Sequence, residues 1–215
     1  MDAREFYGRW DRLYDVVSRR LPLVSRIRRA AVDACRLESG DTVLEVGCGT
    51  GANLPLLADA VGPTGRVIGL DYSPELLDRA ARGPGRLPQV ELVVGDATAL
   101  PVEGPVDAVL ATFVLGMLEA PVAAVDDWID RLGADGHLVL VNVAESEEPF
   151  APVVNPAARR VVRAWSPPAA RAGDPLSRLS RRVVVGHGRL ADSAAAVAHE
   201  RYVLGLVRLT GGRFA

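Results

Sequence analysis

Apolar residues recur along the chain with two different periods. Phe6, Trp10, Leu13 and Val17 are spaced four, three and four apart, which predicts an amphipathic first helix. Pro22 can stand in the first turn of a second helix, with Val24, Ile27, Ala31 and Cys35 on one face. From residue 42 onward, short β-branched runs alternate with helical patterns. The runs predict strands over 42–46, 66–70, 91–94, 106–111 and 137–143. One helix starts at Leu54. Another has Ser73 as N-cap, Pro74 in its first position and Glu75 in its first turn. A third starts near Pro121 and buries Val125, Trp128, Ile129 and Leu132.

Strands alternating with helices imply βαβ crossovers, hence an α/β fold with a doubly wound, mostly parallel sheet covered on both faces. The alternation breaks after residue 143. Proline- and arginine-rich stretches there predict helices over 157–165 and 176–185, joined by Ser166-Pro167-Pro168, as a helical insertion after strand five. The tail, ERYVLGLVRLTGGRFA, returns to strand-like composition, with Gly211-Gly212 expected as a turn.

At 215 residues, 49% hydrophobic and 24% charged, the chain has the makings of one sizeable soluble domain. No apolar run reaches the roughly 20 residues that span a bilayer, and the acidic, aromatic start MDAREFYGRW is unlike a secretory signal. Cytoplasmic localisation is expected. Cys35 and Cys48 lack metal-site spacing and offer no disulfide framework, so no metal is expected. All 25 basic residues are arginine, which closes Schiff-base and Walker-type lysine chemistry. Charge is unevenly placed: residues 41–150 carry five Arg against eighteen acids, whereas 151–190 carry eight Arg and only Asp174. Either the basic segment complements the acidic core, or it offers a surface to anionic substrates and lipid headgroups.

The most informative stretch is VLEVGCGTGAN, residues 43–53. A strand ends in Gly47, Gly49 and Gly51 and a helix follows at once. That builds a tight turn whose backbone approaches a ligand, with helix N–H groups aimed at it. GCGTGA also satisfies the dinucleotide pattern G-x-G-x-x-G/A, so the other strand ends must decide. Strand one also offers Glu45. Strand two ends in Asp71, Tyr72 and Ser73: a carboxylate that can accept both hydroxyls of a ribose, and a ring that can lie against a purine. Strand three ends in Gly95-Asp96-Ala97. Strand four ends in Thr112-Phe113-Val114-Leu115-Gly116-Met117, apolar almost throughout.

Taken in order, Glu45 to Gly51, then Asp71, then Gly95-Asp96-Ala97 resembles the motif series of class I S-adenosylmethionine-dependent methyltransferases, over roughly residues 41–143. The resemblance implies that family's Rossmann-like fold, S-adenosylmethionine as cofactor and S-adenosylhomocysteine as product. It places the turn Gly47 to Gly51, with Cys48 and Gly49, against the methionine part, Asp71 on the ribose hydroxyls and Asp96 on the adenine amino group, and it counts Glu45, Asn53 and Ser73 among the cofactor-binding residues. It gives Ala97 a backbone contact to the ring and Thr112 the methionine amino end. Tyr72 and Phe113 would pack around the purine and the sulfonium. The helix carrying Tyr14-Asp15 is similar to that of quinone-biosynthesis C-methyltransferases and bacterial phosphatidylethanolamine N-methyltransferases, which implies a helix closing over the cofactor with Tyr14 near it. The expected organisation is one domain: a helical lid at 1–40, a cofactor-binding core at 41–143, a helical cap at 144–199 and C-terminal strands at 200–215.

The expected acceptor is a small, hydrophobic or lipid-like molecule, a quinol precursor or a phospholipid amine, with peripheral membrane contact through 151–190. An NAD(P)-dependent oxidoreductase and a cofactor-binding protein without turnover are the alternatives. Nucleic acid is not expected. Strand four lacks the Asn/Asp-Pro-Pro-Tyr/Phe sequence of many amino methyltransferases, and 151–190 offers few aromatics for stacking. No catalytic base is assigned. His137 reads as structural, His187 in Gly186-His187-Gly188 as freer, and His199 as preceding the last strand. Glu145, Glu147 and Glu148 either border the acceptor pocket or form a solvated loop.

Overall fold

β1 (Thr42–Val46) lies inside the sheet because both of its faces are apolar: Val43, Leu44 and Val46 are fully buried. Each such burial contributes about 1.5–3 kcal/mol. The computed structural model describes residues 22–166 and 173–215; the expected first helix, with Tyr14, lies outside them. The remaining elements are α1 (Pro22–Ala34), α2 (Leu54–Val61), β2 (Arg66–Asp71), α3 (Pro74–Ala81), β3 (Val90–Val94), β4 (Val106–Thr112), α4 (Pro121–Ile129), β5 (Leu132–Val143), α5 (Ala151–Trp165), α6 (Pro175–Ser193), β6 (Ala196–Tyr202) and β7 (Val207–Arg213).

Among the described residues, seven strands form one sheet in the order β3-β2-β1-β4-β5-β7-β6. β3 to β5 are parallel, while β7 runs antiparallel to both its neighbours. α1 and α2 cover one face, where Ile27, Ala31, Leu54 and Leu57 meet Val43, Val67 and Val139. α4 and α6 cover the other, where Trp128 and Leu190 meet Leu44, Val109 and Leu138. Two cores of alternating β residues result, one per face. All the parallel strands end at one edge of the sheet, and the glycine turn, Asp71, Asp96 and Thr112 are collected there.

The structure differs from the pattern in several places, and the helix expected over 157–165 already starts at Ala151. β5 begins at Leu132, not His137, because Leu132 pairs with Val106 before a bulge interrupts the register. The helix expected over 176–185 runs from Pro175 to Ser193, so Gly186-His187-Gly188 is helical. Gly186 is tolerated because a Cβ there would collide with Leu115. Gly211-Gly212 is not a turn either. Both lie inside β7, and a Cβ on Gly212 would stand 2.7 Å from Leu190 Cδ2 and 2.8 Å from Ala194 Cβ. Glycine lets the end of α6 lie on the strand. The reversal is made by Tyr202–Gly205, where the Gly205 N–H donates to the Tyr202 carbonyl at 3.0 Å.

Candidate functional site

The turn after β1 is set by backbone geometry. Gly47, Gly49 and Gly51 all have positive φ, at 69°, 56° and 79°. At Gly47 a Cβ would also collide with Val114, so the turn packs directly on the segment after β4. At Gly49 a Cβ would meet nothing within 4 Å. That glycine borders open space of the kind a ligand fills.

Asp71, at the end of β2, holds this turn. One carboxylate oxygen accepts from the Gly49 N–H and the other from the Ser73 N–H, both at 2.9 Å. The side chain is buried, and burial raises its pKa while those two N–H groups oppose the rise. The Tyr72 backbone N–H also bonds this carboxylate, and of its four lone pairs at least one remains for a ligand hydroxyl. Ser73 caps α3 by accepting from the Leu76 N–H, as expected. Tyr72 is half exposed beside it.

Under the turn lies a small buried polar cluster. Asn53 is at the N-cap position of α2 but makes no capping bond. Its Nδ2 donates instead to Glu45 Oε1 at 2.6 Å and to Thr112 Oγ1 at 3.2 Å, which joins β1, α2 and β4. Glu45 is 1% exposed. Burial pushes its carboxyl up to about 7, against the pull of Asn53 and Arg28 and with a further push from Asp71. Among the described residues, Glu45 Oε2 and Asn53 Oδ1 are both buried without a partner. Two orphaned acceptors at the end of a strand call for a donor, and a cationic amine answers that need.

At the end of β3, Asp96 accepts from the Thr98 N–H and hydroxyl, both at 2.8 Å. These bonds hold its exposed carboxyl below the usual range. The Ala97 carbonyl accepts from the Trp128 indole at 2.8 Å. That link was missed in the sequence, where Trp128 read only as core; its signal is that a buried indole N–H must find an acceptor. Phe113 stands at φ 63°, a conformation costly for an aromatic residue, with its N–H on the Val141 carbonyl at 2.7 Å. Cys48 is buried and free, and burial raises its thiol pKa.

The predicted residues therefore gather at one edge: Glu45, Gly47, Cys48, Gly49, Gly51, Asn53, Asp71, Tyr72, Ser73, Asp96, Ala97, Thr112 and Phe113. Tyr14 is outside the described residues. His187 is not free. It is buried in α6, bonded to Thr210 Oγ1 at 2.8 Å and Asn142 Oδ1 at 3.1 Å, and burial lowers its pKa to about 3. His199 lies within β6 and shares the Thr210 hydroxyl at 3.0 Å. Among the described residues, no group of three or more His, Cys, Asp or Glu could hold a metal.

Residues 43–136 match the family described as "Methyltransferase domain". Over those residues the chain resembles a methyltransferase domain. A 2-phytyl-1,4-naphthoquinone methyltransferase of Thermosynechococcus vestitus is 42% identical over 92 residues, 43% of this chain and 40% of that protein. A demethylmenaquinone methyltransferase of Staphylococcus saprophyticus is 31% identical over 147 residues, 68% of this chain and 61% of that protein. The chain thus spans less than two thirds of the length of these relatives, and it resembles the quinone-biosynthesis methyltransferases. The N-methyltransferase NodS of Bradyrhizobium japonicum, solved with S-adenosyl-l-homocysteine, shares the fold of this chain with a TM-score of 0.64, at 16% identity over 91% of this chain and 89% of that one.

Proposed function

We propose that this methyltransferase binds S-adenosylmethionine across the ends of β1 to β4 and methylates a small, hydrophobic, quinol-type acceptor. The observation that carries the reading is the pair of orphaned acceptors, Glu45 Oε2 and Asn53 Oδ1, beside a glycine turn pinned by Asp71. They suit the α-ammonium of the cofactor, and the lone-pair capacity left on Asp71 suits a ribose hydroxyl. Asp96, kept ionised by Thr98, suits the adenine amino group, with Tyr72 against the purine. A nicotinamide dinucleotide brings phosphates and no primary amine to this end, so it leaves both acceptors unanswered.

When bound, S-adenosylmethionine supplies an activated sulfonium methyl, so the protein's task is to align donor and acceptor and to exclude water. Val114 and Leu115 are buried, and together with Phe113 they give that side an apolar wall. Such a wall favours transfer to an anionic oxygen or carbon, because charge disappears on the way to the transition state. The quinone acceptors named for the relatives support the acceptor class, and peripheral membrane contact follows from its lipid character.

The test is transfer of labelled methyl from S-adenosylmethionine to a short-chain demethylnaphthoquinol, with phosphatidylethanolamine and NAD binding as parallel assays. The reading expects label in the naphthoquinol. Label in the amine alone reassigns the acceptor, and NAD binding without S-adenosylmethionine binding overturns the reading.

A further inference from the structure

α5 packs on the protein through Ala151, Val154, Asn155, Ala158 and Val162, which are half-buried, and leaves further apolar residues on its solvent side. Asn155 exchanges hydrogen bonds with the Ser146 backbone at 2.8 and 3.0 Å, and Arg159 pairs with Glu145 and with Asp174. Facing out, Val153 is 78% exposed, Val161 58%, and Phe150 at the N-cap 60%. Phe150, Val153, Ala157 and Val161 fall on one side of a 3.6-residue helix, so they form a continuous stripe. A surface helix normally carries charged and polar residues on that side.

A second observation comes from the β6–β7 hairpin. Its tip is Val203-Leu204, with φ of 52° and 56°. Left-handed backbone is costly for bulky residues, and Asn-Gly is the usual occupant of such a turn. Leu204 is nonetheless 58% exposed. The tip adjoins the start of α5: the Leu204 carbonyl accepts from Ser146 Oγ at 2.6 Å, and a Cβ on Gly205 would stand 2.7 Å from Glu148 Cγ. Strained backbone and the outward aliphatic residues of the tip and of α5 meet at the edge that holds the candidate site. Arg160 and Arg163 flank the stripe, both exposed and without a charged partner among the described residues.

We infer that the stripe Phe150–Val161 and the Val203-Leu204 tip together dock on an anionic lipid surface. Aliphatic residues bordered by unpaired arginines match the acyl and headgroup layers of such a membrane. No helix among the described residues is long and apolar enough to cross one, so the contact lies in the interface plane. The inference deepens the proposed reading, since a quinol with a prenyl tail enters from lipid beside the cofactor edge.

The test is sedimentation of the full chain with phosphatidylcholine vesicles, with and without phosphatidylglycerol, at low and high salt. Binding should require phosphatidylglycerol and fall with salt. Val153→Asp should weaken it about tenfold through lost apolar burial. Val203→Asn with Leu204→Gly should weaken it similarly while raising the melting temperature, because the turn is relieved; a merely structural tip would change stability alone. Cofactor affinity should be unchanged in both variants. A wild-type chain that stays in solution with acidic vesicles at low salt overturns the inference. So does a dimer that Val153→Asp disperses, with no lipid binding, which assigns the face to a second copy. Transfer to a short-chain quinol without vesicle binding sinks the surface and leaves the methyltransferase reading standing. Vesicle binding without any transfer does the opposite.

Discussion

Glu45 carries a pKa near 7 because its carboxylate is out of water and only one of its oxygens is answered. Between its ordinary value and about 7 the native chain holds a proton that the unfolded chain has released. Stability without cofactor is therefore fullest below pH 4.5 for this group and falls as pH rises through 7, by about 3 kcal/mol in all. Glu45→Gln should flatten that slope in melts followed across pH 5 to 8. A cationic amine needs the ionised form, so cofactor affinity should rise roughly tenfold per pH unit below 7 and become independent of pH above it. Calorimetry in buffers of different ionisation enthalpy would register the released proton. Asp71 has two duties, since it holds Gly49 and Ser73 as well as facing the ligand. Asp71→Ala should thus cost about 1–3 kcal/mol of stability from unpaired N–H groups in addition to cofactor affinity. A melt that does not move would contradict the pinning role.

Among the elements, the glycine turn separates packing from ligand contact. Gly49→Ala should lose about 1–2 kcal/mol to its positive φ and lose cofactor affinity besides, because the new methyl enters open space at the site. Gly47→Ala should lose more stability, since Val114 must move. Urea melts of the two variants would rank them. β1 to β4 were legible in the sequence to within a residue, because each is a short apolar run with turn residues at its ends, and β1, β2 and β4 are buried on both faces. β5 was not, since a bulge leaves no trace in hydrophobic period. The hairpin tip was hidden for a different reason: Val203-Leu204 violates turn chemistry, while Gly211-Gly212 imitates it. His187 looked free between two glycines, yet α6 needs Gly186 to approach Leu115. Buried and neutral, His187 adds stability that is complete above pH 6.5 and lost as acidification proceeds towards 3, opposite in sign to Glu45. His187→Leu should remove that acid limb and strand Asn142 Oδ1, which melts from pH 4 to 7 would reveal.

Across the whole molecule, one reading of the charge asymmetry is visible in the ion pairs. Arg159 and Arg189 pair with Glu145 and Asp126 of the acidic core, so part of the basic segment complements it. Arg160 and Arg163 remain turned outward. The candidate site was legible because doubly wound sheets bring successive strand ends to one edge, so three separated motifs could be joined without coordinates. The partner of each carboxylate was not legible: the bonds from Gly49 to Asp71 and from Asn53 to Glu45 depend on side-chain direction at the turn. Hydrogen exchange with and without S-adenosylmethionine addresses all of these strand ends at once. The account predicts slowed exchange at 47–53, 71–73, 96–98 and 112–114, with NAD changing none of them. Unchanged exchange at those segments in saturating S-adenosylmethionine, or protection by NAD instead, would contradict it.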